Sequence, residues 1–243
     1  MYPKGTIYHI YTAEKSGLHG EVSLQAPVKT KLIYSLARGI GAGLIGFIII
    51  SFIFTFGPLI QDEVNYNLGT NKIEYQPSQV DLVNAQNTTV IQNEARSFGV
   101  DSYFSVVIPK IGAKANIIAN VDPTNEKEYD AALAEGVAHA KGTYFPGQGQ
   151  SIYLFAHSTN GPWNVARYNA VFYLLDKMTK GDQIIVYFAD KRYVYEVTAT
   201  KIVGPNDTSA LSAQSSSEQL ILQTCYPPGT SWNRLLVFAK PVN

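Results

Sequence analysis

Short runs of apolar and aromatic residues recur along the second half of the chain and predict a series of β-strands. The runs are separated by Gly, Pro, Asn and Asp, which terminate strands and favour turns. Sixteen tyrosines and eleven phenylalanines fit this interpretation, because aromatic residues are enriched in strands. The predicted strands lie at residues 105–108, 115–118, 151–156, 183–188, 193–203, 220–224 and 235–239.

Two brief helices are predicted among these strands, at residues 126–135 and 165–180. The first is rich in alanine at helical spacing, and the second ends before Gly181. Seven or eight short strands with so little helix favour a mainly β fold, and specifically a closed antiparallel barrel.

A different pattern near the N-terminus predicts a membrane anchor. Residues 39–60 form a run of 22 residues without a charge, which matches the roughly 20 residues that cross a bilayer. Bases precede this run and Asp62 and Glu63 follow it, so the N-terminus is expected inside the cell. A cleaved signal peptide is the alternative, but the run is longer than a typical signal-peptide core and 38 residues precede it.

These patterns divide the chain into four predicted segments. Residues 1–38 show no sustained period and are assigned to a loosely ordered cytoplasmic segment, followed by the anchor at 39–60. Residues 61–98 are rich in Asn and Gln, which favours an extracytoplasmic stalk, with a weakly amphipathic stretch at 80–95. Residues 99–243 form the predicted folded domain. A single membrane-spanning helix would anchor the chain, and the bulk of the chain would lie outside the cell.

Composition and charge exclude several classes of function. Apolar residues make up 46% of the chain and charged residues 16%, which suits a packed core. The formal net charge is zero, which argues against nucleic acid as the main partner. Neither paired Cys or His zinc motifs nor glycine-rich phosphate loops occur, so no metal or nucleotide cofactor is expected.

The chain has one cysteine, Cys225, which follows the predicted strand 220–224. Proteins outside the cytoplasm usually use cysteines in pairs, so an unpaired thiol there suggests a reactive group. A buried cysteine that packs as a small apolar side chain is the alternative.

Two further polar residues flank predicted strands and are candidates to act with this thiol. Arg234 precedes strand 235–239, and a loop containing two prolines and a glycine joins it to Cys225. If these strands pair antiparallel, the two residues lie on one rim of the sheet. His157 follows strand 151–156, and its placement beside them requires a tertiary assumption.

Four histidines limit the choice of an acid. His9 and His19 fall on the predicted cytoplasmic side, so His157 and His139 remain. His139 is interpreted as structural, and a hydrogen-bonded core position stays an alternative for His157, as a surface position does for Arg234.

A thiol, an imidazole and a guanidinium together suit acyl transfer. Only the thiolate attacks a carbonyl, and a nearby imidazolium favours the thiolate and then protonates the departing amine. A guanidinium can stabilise the oxyanion of the tetrahedral intermediate.

The sequence resembles the sortases, the cysteine transpeptidases of bacterial cell surfaces. Four blocks match in the family's order, over about residues 104–241. The blocks are Ile108-Pro109-Lys110-Ile111-Gly112; Glu135-Gly136-Val137-Ala138-His139 with Gly142-Thr143 and Pro146-Gly147; Phe155-Ala156-His157-Ser158; and Thr224-Cys225 with Arg234.

This resemblance implies an eight-stranded β-barrel in which Cys225 is the nucleophile, His157 the general acid and Arg234 the oxyanion or substrate stabiliser. It also implies cleavage of a Leu-Pro-x-Thr-Gly-like sorting signal on surface proteins, through a thioester. The acyl chain then passes to an amine of a peptidoglycan precursor or a pilin.

The chain departs from the family pattern at Ala156, where many members have glycine, and at Gln223, where an apolar or small residue is common. Residues 160–164 and 226–232 are expected to form rim loops that shape specificity. A class D- or E-like member is one interpretation of the subclass. Some members bind calcium, but Glu126, Glu128 and Asp130 do not form a convincing ligand set. A hydrolytic cysteine peptidase and a non-catalytic tethered β-domain remain alternative functions.

Overall fold

The computed structural model describes residues 7–9, 22–24, 28–70, 72–73, 87–158, 170–212 and 215–242. The chain divides into two compact units, Met1–Phe54 and Thr55–Asn243. Several predictions fall partly or wholly outside the described residues. Among them are the first part of the amphipathic stretch at 80–95, the first part of the helix predicted at 165–180 and a rim loop predicted at 160–164.

The first unit holds two short paired strands and most of a long helix. Strands β1 (Ile7–His9) and β2 (Val22–Leu24) pair antiparallel, although no regular structure was predicted for residues 1–38. Helix α1 (Val28–Leu68) contains a stretch, Leu32–Gly57, of 26 residues with mean hydropathy 2.3, which is long and apolar enough to cross a membrane. This stretch overlaps the predicted anchor at 39–60 and begins seven residues earlier.

The second unit contains the predicted closed barrel of eight strands. The strands are β3 (Phe104–Ile108), β4 (Ala113–Val121), β5 (Val137–Ala140), β6 (Ser151–Phe155), β7 (Gln183–Phe188), β8 (Lys191–Val203), β9 (Gln219–Tyr226) and β10 (Asn233–Pro241). Around the barrel they lie in the order β10, β8, β7, β3, β4, β5, β6 and β9, and β9 pairs with β10 to close the ring. The mainly β, eight-stranded barrel is therefore confirmed.

Two of the eight pairings in the barrel are parallel, where an antiparallel barrel was predicted. These are β4 with β5 and β6 with β9. A parallel connection needs a crossover, and helix α3 (Glu126–Glu135) supplies it between β4 and β5. Strand β5 itself was not predicted, because a four-residue segment, Val-Ala-His-Ala, has too little strand character to stand out.

Part of the predicted stalk is a helix that packs against the barrel. Helix α2 (Thr88–Ser97) begins at Asn87, whose side chain accepts a hydrogen bond from the backbone nitrogen of Thr89. Its Ile91 and Ala95 are buried in a small apolar cluster with residues of β3 and β7. Glu94 on the same helix pairs with Arg192 of β8 at 3.1 Å. The domain boundary at residue 99 stays a prediction.

The remaining helical segments are short. Helix α4 (Ser209–Ser212) lies between β8 and β9. In the described part of the helix predicted at 165–180, residues 170–180 form turns and a 3-10 helix, Leu175–Lys177, instead of an α-helix.

Gly136, between α3 and β5, allows the crossover to lie against β4. A Cβ atom at this position would lie 2.3 Å from the carbonyl oxygen of Asn116, so backbone would have to move. We expect Gly136→Ala to lower the free energy of unfolding by about 1–3 kcal/mol. Gly204→Ala is the matched control, because a Cβ atom there meets open space. Urea unfolding of both variants tests this, and equal stability of the two would contradict it.

Candidate active site

The hairpin of β9 and β10 places Cys225 directly beside Arg234. The two residues are register partners in this antiparallel pair, so their side chains lie on the same face of the barrel wall. The guanidinium of Arg234 donates to the backbone oxygens of Ser231 and Asn233, each at 3.2 Å, which orients it at the strand start. The thiol of Cys225 is free and partly exposed.

The parallel pairing of β6 with β9 places His157 at the same rim. Phe155 of β6 is in register with Gln223 of β9. The contact continues beyond the strand, because the backbone nitrogen of Ala156 donates to the oxygen of Gln223 at 3.1 Å. The hydroxyl of Thr224 donates to the oxygen of Ala156 at 2.9 Å. His157 and Cys225 each lie two residues beyond the register pair of Phe155 and Gln223, so the parallel strands bring both residues to the same edge of the sheet.

Cys225, His157 and Arg234 line one cavity of about 500 Å³. Strands β6, β9 and β10 form its floor. Its walls come from α3, from the β8–β9 connection and from the β9–β10 loop. The wall residues include Tyr129, Asp130, Leu133, Pro205, Asp207, Leu211, Gly229, Thr230 and Ser231. The tertiary assumption that His157 shares a cleft with the other two therefore holds.

The residue pattern did not indicate most of these wall residues. Tyr129, Asp130 and Leu133 lie on one face of α3, but nothing in their spacing indicated that this face meets the cleft. The loop at residues 226–232 was predicted to shape the rim, and its residues 229–231 do line the cavity. Gln223 was noted in the sequence, because the family commonly has an apolar or small residue at this position.

The electrostatics of the cleft depend on burial and on two opposite charges. Burial lowers the pKa of His157, and the carboxylate of Asp130 opposes this shift. Burial also raises the pKa of Tyr153 to about 12, while the charge of Arg234 acts in the opposite direction. A cavity with a thiol, an imidazole and a fixed cation has the groups that acyl transfer requires.

Glu128 of α3 takes part in capping the start of the helix. Glu128 accepts from the backbone nitrogen of Asp122 at 2.9 Å and from the amide of Asn125 at 3.3 Å. The backbone nitrogen of Glu128 donates to the side chain of Asn125, which completes a capping arrangement. The expectation that the protein needs no cofactor stays a prediction.

His139 lies in the core and outside the cavity, in agreement with its structural interpretation. It is fully buried, and its Nδ1 atom accepts from the backbone nitrogen of Asn120 at 3.3 Å. The Nε2 atom lies 3.0 Å from both the oxygen of Tyr144 and the hydroxyl of Thr143. Its ring stacks on Phe145 at 4.5 Å. His9 lies in β1, and His19 is outside the described residues.

The chain is similar to known proteins in sequence and in fold. The sortase domain family matches residues 106–242. Sortase D of Bacillus subtilis (strain 168) is 33% identical over 138 residues, which is 56% of this chain and 61% of that protein. The chain thus matches less than two thirds of the length of this relative.

Solved structures of similar fold include two sortases. Sortase C2 of Pilus Island 1 from Group B Streptococcus has a TM-score of 0.50 and 26% identity, over 61% of this chain and 79% of that one. Sortase C-1 from Actinomyces oris has a TM-score of 0.50 and 24% identity, over 77% of this chain and 99% of that one, and supports the fold alone.

Burial of His139 predicts acid sensitivity of the fold. Burial lowers the pKa of His139 from about 6.5, so the unfolded chain binds a proton more readily than the folded chain does. The stability that this histidine contributes is therefore complete above about pH 6.5 and is lost as the pH falls below it. We expect His139→Gln to be less stable at pH 7.5 but to show a flatter decline between pH 7 and pH 5, roughly the range in which histidine titrates.

Denaturant unfolding at a series of pH values measures this difference between wild type and variant. Parallel curves for the two proteins would show that His139 does not contribute to the acid sensitivity.

Proposed function

This chain belongs to the sortase family, and from that premise we propose that it is a membrane-anchored cysteine transpeptidase whose catalytic residues are Cys225, His157 and Arg234. The observation that carries the proposal is the register of β9 between β6 and β10. It aligns Cys225 with Arg234 and brings His157 to the same cavity.

In the first half-reaction, the thiolate of Cys225 attacks the carbonyl of the threonine in a Leu-Pro-x-Thr-Gly-like sorting signal. The carbonyl electrons move to its oxygen, and the guanidinium of Arg234 stabilises that oxyanion. When the intermediate collapses, the bond to glycine breaks and protonated His157 donates a proton to the departing amine. A thioester on Cys225 remains.

In the second half-reaction, an amine attacks the thioester. His157, now neutral, accepts the proton of the incoming amine, and the thiolate of Cys225 leaves with its electron pair. The product is a new amide, and the enzyme returns to its starting state. No step needs a metal or a redox cofactor.

Asp130 supports the charged form of His157 in this scheme. Burial favours the neutral imidazole, whereas the first half-reaction needs a protonated one. The carboxylate of Asp130 opposes the effect of burial, and it lines the same cavity. The balance between the two suits a group that alternates between acid and base.

The apolar stretch of α1 supports anchoring in the cell membrane, with the N-terminus in the cytoplasm and the barrel outside. The substrates would then be surface proteins that carry the sorting signal. The acceptor is an amine of a peptidoglycan precursor or of a pilin. The match to Sortase D of Bacillus subtilis supports the class D-like interpretation.

Replacing Cys225 tests the nucleophile. Because it is the only cysteine of the chain, Cys225→Ala removes every thiol. We expect mass spectrometry to detect a covalent acyl adduct on the wild type after incubation with a Leu-Pro-x-Thr-Gly peptide library, and none on the variant. Adding an amine acceptor should shift the product from the free acid to the amide. An adduct on Cys225→Ala would refute the assignment.

Replacing His157 or Arg234 tests the acid and the oxyanion stabiliser. We expect each alanine variant to lose about 10²–10³-fold in peptide turnover. Both side chains are only partly buried, so the thermal unfolding midpoint should change little. Arg96→Ala, on the exposed side of α2, is the control for loss of an arginine. Unchanged turnover in either variant would remove that residue from the mechanism.

A further inference from the structure

A polar pair lies on the floor of the cleft, on the side of the thiol away from the rim. Gln223 precedes Cys225 by two residues on β9, so both side chains lie on the same face of the strand. Tyr153 lies two residues before Phe155, the register partner of Gln223 on β6. Both members of the pair line the cavity that holds Cys225. Neither has a part in the acyl-transfer steps described above.

Tyr153 determines the orientation of the Gln223 amide. Its hydroxyl donates a hydrogen bond of 2.6 Å to Oε1 of Gln223. Tyr153 is 4% exposed, and burial raises its pKa to about 12, so the hydroxyl keeps the proton that it donates. Because the oxygen of the Gln223 amide faces the Tyr153 hydroxyl, the amide nitrogen faces away from Tyr153.

The amide nitrogen of Gln223 is left as a donor. It makes no hydrogen bond to any residue in the described part of the chain, while the side chain is only partly buried and lines the cleft. In an empty cleft, water can satisfy this donor. A peptide that covers it must supply an acceptor, because a buried donor without a partner costs about 1–3 kcal/mol.

Strand geometry indicates which acceptor a bound peptide would offer. Residues two apart on a strand are separated by about 6.6 Å, and an extended peptide rises at the same rate. Cys225, Gln223 and Tyr153 all line the cavity, so an acyl-donor peptide can run along β9 from the thiol past Gln223. Its carbonyl two residues before the scissile one would then lie near the amide nitrogen of Gln223.

We propose that Gln223 binds the acyl-donor peptide by donating from its amide nitrogen to the backbone carbonyl two residues before the scissile carbonyl. Tyr153 is the positioning residue that holds the amide in this orientation. The inference rests on the proposed function, and it assigns a polar recognition contact to a position where the family commonly has an apolar or small residue.

Gln223→Met tests the donor, because methionine has a similar length and no N–H group. We expect kcat/KM for acyl-enzyme formation to fall about 5–20-fold with the Leu-Pro-x-Thr-Gly peptide that the wild type cleaves fastest. The rate at which iodoacetamide alkylates Cys225 should not change, which separates lost recognition from a damaged site. Gln183→Met, a partly buried glutamine on β7 that does not line the cavity, is the matched control.

A modified substrate tests the acceptor. In a Leu-Pro-x-Thr-Gly peptide, the carbonyl in question belongs to proline, and a thiocarbonyl there is a weaker acceptor. The wild type should lose most of its advantage over Gln223→Met on this peptide, and the variant should be nearly insensitive to the change. Tyr153→Phe should show a smaller loss in the same direction, chiefly in KM.

The outcomes separate this inference from the proposed function. Absence of any acyl-enzyme on the wild type would overturn both. A wild type that forms the acyl-enzyme, together with an equally active Gln223→Met, would overturn the role of Gln223 alone. Equal sensitivity of wild type and variant to the thiocarbonyl would likewise overturn the assigned contact.

Discussion

Strand β9 forms backbone hydrogen bonds with β6 on one side and with β10 on the other, and the candidate site depends on both pairings. The antiparallel partner aligns Arg234 with Cys225, and the parallel partner ends where His157 begins. A shift of one residue in either register would send one set of side chains to the opposite face of the wall. The hydroxyl of Thr224 donates to the backbone oxygen of Ala156, which continues the contact between β6 and β9 up to the residue before His157.

Closure of the barrel makes those registers stable. The interior is filled by apolar side chains from all eight strands, so a register shift would move buried residues into water. Closing the barrel also requires the crossover through α3, because β4 and β5 pair in parallel. The helix that completes the barrel thereby becomes a wall of the cleft, and it carries Tyr129 and Asp130 to the site.

The cleft combines an apolar setting with a few polar groups whose environments are fixed by their neighbours. Burial and the carboxylate of Asp130 act in opposite directions on His157. Burial keeps the Tyr153 hydroxyl protonated, and this hydroxyl in turn orients Gln223. His139 shows the contrast, because both of its ring nitrogens are engaged by the core and it has no face on the cavity. The same residue type thus lies in two different environments, one in the core and one at the cleft.

Local pattern alone was sufficient for the apolar stretch of α1, for most strands and for the neighbourhood of Cys225 and Arg234. It indicated a barrel but not its two parallel pairings. The features that it fixed depend on periodicity and on a single hairpin, which act over a few residues. The tertiary structure decided the parallel partner of β9, the short strand β5, the packing of α2 and the placement of His157, Asp130 and Tyr153 around the thiol. Those contacts join residues far apart in the chain, and the choice among possible partners is made by the packing of the whole barrel.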